Sequence, residues 1–82
     1  MIYEKPLTIN QFYKKKDFER MAIVMKCREE LENLLKQNYS ISLSKKMVSE
    51  KLNISRPVVD YIYIHDEGLR FLVFKNQKRS WS

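Results

Sequence analysis

Five apolar residues, Val48, Leu52, Ile54, Val59 and Ile62, are spaced around Asn53 as the inner face of two short helices meeting at a sharp turn. No other stretch constrains the fold as strongly. Ser49 is small where the two helices would cross most closely. Asn53 falls at the turn itself, and Asn tolerates the left-handed backbone better than most residues. Ser55 can cap the second helix by accepting a backbone N–H bond. Pro57 falls in that helix's first turn, where its missing N–H is not needed. A helix over 45–52 and another over 56–65 follow.

Upstream, Thr8 and Gln11 have capping-box spacing, and Leu7 and Phe12 can form the accompanying hydrophobic staple. Helical periodicity then runs to about Gln37. The one candidate break is Lys14–Asp17, where three lysines precede an Asp able to cap a new helix. A long helix over 18–37 is expected after an N-terminal segment, 1–17. Its apolar residues divide into two faces. Ile23, Val24, Cys27, Leu31, Leu34 and Leu35 form the natural core face, with Cys27 inside it. Phe18, Met21, Ala22 and Met25 lie nearly opposite, where burial under the N-terminal segment and contact with a partner chain are both open. The connector Asn38–Ser44 contains the alternating Ile41-Ser42-Leu43, which reads as a short strand, and Ser42 or Ser44 can cap the next helix.

The segment after Arg56 is contested. Val58, Val59, Tyr61, Ile62, Tyr63 and Ile64 are β-branched or aromatic and suit a strand. His65-Asp66-Glu67-Gly68 looks like a turn, and Leu69–Phe74 suits a second strand. One β-hairpin over 58–74 is therefore the alternative to a helix at 56–65. The Ser-Arg-Pro start and the motif spacing favour the helix, because tertiary context often overrides propensity. Gly68 then ends it or opens a hairpin over 69–81, with Lys75–Lys78 as the turn and Trp81 closing the core or the hairpin's base.

Val48, Ser49, Leu52, Asn53, Ile54, Ser55, Arg56, Val59 and Ile62, followed by Gly68-Leu69, resemble the winged helix-turn-helix domains of small bacterial and phage transcription regulators. The resemblance spans 41–81. Ser49 stands where Ala is usual and Asn53 where Gly is usual. The resemblance implies a single domain over 1–82, mainly α with a small β-hairpin. A long N-terminal helix would precede the helix-turn-helix at 45–65 and the wing at 69–81. It further implies sequence-specific binding of double-stranded DNA and transcription regulation, usually as a dimer on two half-sites.

In such a motif the start of the second helix reaches base edges, here Arg56, Val58, Asp60 and Tyr61, with Tyr63 beside them. Arg56 can make a bidentate contact to guanine, and Val58 can touch a thymine methyl. Asp60 can accept from a cytosine amine or orient Arg56; equally, it can merely pair with Arg56. Core packing is the competing role for both tyrosines. Ser44, Lys45 and Lys46 at the start of the preceding helix, with Ser55, form a candidate phosphate site. Lys75, Asn76, Gln77, Lys78 and Arg79 would form the wing tip, with Lys75, Lys78 and Arg79 on the phosphate backbone. Phe18, Met21 and Met25 are the candidate self-association or partner surface.

Charge distribution agrees with a phosphate-bearing partner. The chain has 82 residues and a net charge of +6, of which residues 41–82 supply +4 and residues 1–40 +2. After Glu67 there is no acidic residue, while Arg70, Lys75, Lys78 and Arg79 follow. An apolar content of 44% is too high for a disordered chain. No apolar run approaches the ~18 residues of a membrane span, and the N-terminus lacks the pattern of a secretory signal. A single Cys agrees with a reducing cytoplasm. Its shortness and Lys/Ile/Asn/Tyr-rich make-up hint at a phage or other mobile element.

Catalysis has little support. His65 is the only histidine and has no ligand cluster at metal spacing. One glycine cannot make a phosphate-cradling loop. No enzyme activity, cofactor or metal is expected. Two rivals to DNA binding remain. One is a small factor that binds a host protein complex such as RNA polymerase or a nuclease, motivated by the two-faced helix and the aromatics Tyr13, Phe18, Tyr61 and Tyr63. The other is an RNA-binding protein that uses the hairpin form of 58–74 as a stacking platform.

Overall fold

The computed structural model describes the backbone of residues 5–80 and the side chains of residues 5–73. It has five helices: α1 (Ile9–Lys14), α2 (Asp17–Lys36), α3 (Ile41–Leu52), α4 (Arg56–Ile64) and α5 (Glu67–Ser80). Helix α2 runs along one side of the core, and α3, α4 and α5 all pack against it. Helix α4 also meets α1, α3 and α5, so it is surrounded on most sides.

Local chemistry sets the first two boundaries. Thr8 Oγ1 accepts from the Gln11 N–H at 3.1 Å, and Gln11 Oε1 accepts from the Thr8 N–H at 3.0 Å. That is the expected capping box, which satisfies two N-terminal donors of α1 at once. The chain breaks at Lys15–Lys16, both extended, before α2 begins at Asp17. Asp17 is the first helical residue and not the cap. At the other end of α2, Asn38 adopts φ 69°. The Tyr39 and Asn38 N–H groups donate back to the Leu34 and Leu35 carbonyls at 3.2 and 3.1 Å. Those reversed bonds close the last turn as a Schellman motif, which requires a left-handed residue after the helix.

The core face expected for α2 is the one buried. Cys27, Leu31 and Leu35 are fully enclosed, with Ile23, Val24 and Leu34 packed beside them. Burial pushes the Cys27 thiol up to about 12, because a thiolate there would lose its hydration. Phe18, Met21 and Met25 stay exposed at 70, 63 and 65%. Residues 5–17 therefore do not cover them.

Three local expectations are overturned. Ile41-Ser42-Leu43 is the first turn of α3, not a strand. Its cap is Ser40, whose Oγ accepts from the Leu43 N–H at 3.2 Å, and neither Ser42 nor Ser44. The spacing Ile41, Ser44, Val48, Leu52 places one edge of a helix on the core, and that edge outweighs a three-residue alternation. The hairpin over 69–81 is also replaced, because the chain is helical over Glu67–Ser80. Leu69 and Val73 are buried one turn apart, with Leu72 packed alongside. Strand propensity thus yields to a helical edge that fits against α2 and α4. Trp81 lies outside the described residues. Third, Gly68 neither ends a helix nor opens a strand; it sits in the first turn of α5. A Cβ there would stand 3.2 Å from both Arg28 Nη2 and Asp66 Oδ1, so the missing side chain makes room for these two side chains, which form an ion pair.

Candidate nucleic-acid interface

The site is built on the α3–α4 turn. Asn53 takes φ 54°, ψ 47°, the left-handed conformation expected from the sequence. Its N–H and that of Ile54 both return to the Ser49 carbonyl. Ser49 Oγ then donates to the Ile54 carbonyl at 2.8 Å. Ser49 is thus more than a small residue at a crossing: its hydroxyl ties the end of α3 to the chain leaving the turn. Leu7 adds an external clamp. Its N–H donates to the Asn53 carbonyl at 3.1 Å, and its carbonyl accepts from the Ser55 N–H at 2.9 Å. This parallel bridge between Leu7 and Ile54 carries no local signal in the sequence.

Helix α4 follows as expected at 56–64, with Pro57 in its first turn. Val58, Val59 and Ile62 are buried, and Tyr61 and Tyr63 are half-buried on either flank. What remains for solvent is a narrow ridge of Arg56, Pro57, Asp60 and Ile64. Among the described residues Arg56 makes no ion pair, so its guanidinium is available to a ligand.

Several proposed contacts change accordingly. Val58 is 0% exposed and touches no ligand edge. Four helices, α1, α2, α3 and α5, pack around α4, and together they enclose this position of its first turn. Tyr61 packs its ring 5.7 Å from Phe12, 5.5 Å from Tyr13 and 4.5 Å from His65, which makes it an anchor of α1 on α4. Asp60 pairs not with Arg56 but with Lys45, Nζ to Oδ1 at 2.9 Å. Lys45 also lies over the Tyr63 ring, 4.7 Å from its centroid. Held by a carboxylate and an aromatic face, Lys45 joins α3 to α4 and is only 17% exposed, too enclosed for a free phosphate contact. Ser44 is fully buried, so it cannot reach a phosphate. Ser55 makes no side-chain cap bond, and its buried Oγ has no partner. Its carbonyl instead accepts from the Val58 and Val59 N–H groups.

Lys46 is exposed on α3 and makes no ion pair among the described residues. Lys75, Lys78 and Arg79 lie on the helical backbone of α5 instead of a wing tip; their side chains lie outside the described residues. Because 58–64 and 67–80 are helical, no hairpin forms there to serve as an aromatic stacking sheet.

The interhelical ties are the features that the sequence reading missed. Arg28 Nε donates to Asp66 Oδ2 at 2.6 Å, and Asp66 Oδ1 accepts from the Leu69 N–H at 3.0 Å. Asp66 thus caps α5 while holding α2. A cap residue followed by an acid in the next position, Asp66-Glu67, was the available signal for a helix start. Among the described residues there is no cluster of three or more metal-ligating side chains, and no helix is long and apolar enough to cross a membrane. No family model, curated protein or solved structure matches the chain.

Proposed function

We propose that the protein binds double-stranded DNA and regulates transcription through α3 and α4, with the exposed ridge of α4 entering the major groove. The observation that carries this reading is the ridge itself. It is the solvent-facing edge of one helix, begins with the unpaired Arg56, and follows a turn fixed by Asn53, Ser49 and the Leu7 bridge. A major groove admits one α-helix, and Arg is the usual reader of guanine O6 and N7. Asp60 and Lys45 neutralise each other on the same face, so Arg56 supplies the ridge's free positive charge, and Lys46 on α3 is a further phosphate contact in this proposal. Lys75, Lys78 and Arg79 are the remaining phosphate contacts.

The test is a gel shift with duplex DNA, single-stranded DNA and RNA over a salt series, first with random sequence and then with a selected site. Arg56→Ala should cost about 1–3 kcal/mol on the preferred duplex and relax base preference. Lys46→Ala should weaken all duplexes alike and lower the salt slope by about one. Equal losses on specific and random duplex from Arg56→Ala would remove the base-reading role. Failure to bind any of the three nucleic acids would favour docking on a host protein complex, a reading supported by Phe71, 68% exposed on α5.

A further inference from the structure

The outer face of α2 carries three of the most exposed large apolar side chains among the described residues. Phe18, Met21 and Met25 are spaced as one helical stripe, and Ala22 lies within it, also exposed. Beside the stripe, between α2 and the end of α3, is a groove of about 420 Å³ lined by Ala22, Ile23, Lys26, Lys51, Leu52 and Ile54. Its floor is aliphatic, and two lysines stand at its rim. Knob and groove thus occur on the same helix, one to two turns apart.

We propose that the protein pairs with a second copy of itself through this face, the two α2 helices running antiparallel about a two-fold axis near Met21 and Ala22. The geometry is self-complementary in the way a two-fold interface requires, each patch meeting its own copy. Reversing one helix about that point sets Phe18 opposite Met25 and Lys26 of the second copy, at the mouth of the groove. The ring would fill aliphatic space while its face meets the Lys26 ammonium. Ala22 at the axis leaves room for close approach of the two backbones.

Charge and area point the same way. Beyond Met25 the stripe continues to Glu29, exposed and without an ion pair among the described residues. Just before the opposite end of α2 stands the run Lys14-Lys15-Lys16, of which Lys15 lies 3.9 Å from Glu19 of its own copy, while Lys14 and Lys16 make no ion pair among the described residues. Antiparallel pairing brings each lysine run beside the other copy's Glu29, whereas parallel pairing would set like charges together. The three large side chains expose roughly 400 Å² per copy, about half of the ~800 Å² per partner in a standard interface. The groove walls and flanking charged stems would supply the remainder. The pairing does not use the α4 ridge: none of Arg56, Pro57, Asp60 and Ile64 lines the groove, which reaches the α3–α4 turn at Lys51, Leu52 and Ile54.

Sedimentation equilibrium of the full chain over a concentration series tests the pairing. The expected result is reversible dimerisation, with Phe18→Glu raising the dissociation constant about tenfold or more while the circular dichroism spectrum is unchanged. A monomer at all concentrations would overturn the proposal, as would a dimer indifferent to Phe18→Glu. Orientation is read by oxidative cross-linking of single-cysteine additions, the native Cys27 being buried. Ala22→Cys should cross-link to its own copy and Glu29→Cys should not. Cross-linking at both positions would mean a parallel pair and would refute the antiparallel arrangement.

Discussion

Replacement of Asn53 isolates the backbone cost of the α3–α4 turn. Its side chain is exposed, so substitution removes no core packing, and φ 54° places it firmly in the left-handed region. An L-residue with a Cβ adopts that conformation at a cost of about 1–2 kcal/mol, which Asn partly escapes and Gly escapes entirely. Gly has an opposing cost, because its unfolded chain is freer by about 0.4–1 kcal/mol. The net order should be Gly equal to or above Asn, with Ala lowest. The Gly-to-Ala gap should be about 1 kcal/mol, or about 4–8 °C in Tm for a domain of this size. Urea denaturation followed by far-ultraviolet circular dichroism measures it, and the m-value should be the same for all three proteins. Asn38, left-handed at the end of α2 with φ 69°, is the internal control and should give the same order. If Asn53→Ala is as stable as Asn53→Gly while the Asn38 pair shows the gap, the α3–α4 turn is not left-handed, and the orientation of α4 derived from it is wrong.

Asp66→Ala should destabilise the fold by about 1–2 kcal/mol, combining loss of the α5 cap with loss of a partly exposed ion pair. The double variant with Arg28→Ala should lose less than the sum of the two single losses, and strict additivity would mean that the 2.6 Å contact is not made. Cys27 should resist thiol-labelling reagents at pH 8 in the folded protein and react fully in urea; rapid labelling under native conditions would contradict its burial. Its thiol is held at about 12 when folded, above the ordinary 9.0, so the unfolded chain loses this proton first as pH rises. The stability due to Cys27 is complete below pH 9 and lost between there and about pH 12, and Cys27→Ala should flatten that part of the alkaline decline.

Short-range chemistry made much of the chain legible. The Thr8–Gln11 box, the break before Asp17 and the turn at Asn53 each depend on residues within a few positions of one another. The sequence pattern also distinguished the inner face of α2 from the outer, because a 20-residue helix repeats its period often enough to be read. The start of α4 was readable from Ser-Arg-Pro, although its β-branched residues suited a strand equally well.

The candidate site was legible only in outline. Arg56 was correctly placed at the exposed start of α4, but Val58 was not, since its exposure depends on how many helices surround α4. The tie from Lys45 to Asp60 and Tyr63 could not be read either. It spans two helices, and its geometry follows from the angle at which they cross. The competing pairing, Asp60 with Arg56, was closer in sequence and therefore looked the more natural.

The sequence by itself determined the α1 capping box, the left-handed turn and the α2 core face, because these follow from backbone hydrogen-bonding needs and side-chain periodicity within a few residues. Only the tertiary structure decided that residues 67–80 form a helix and not a wing. Leu69–Phe74 has the composition of a strand. However, Arg28 lies 38 residues before the Asp66 cap that it holds, and α2 and α4 together offer a surface that buries Leu69 and Val73 one helical turn apart. Burial against distant elements, combined with a cap fixed by one of them, outweighs a propensity difference of less than about 1 kcal/mol per residue.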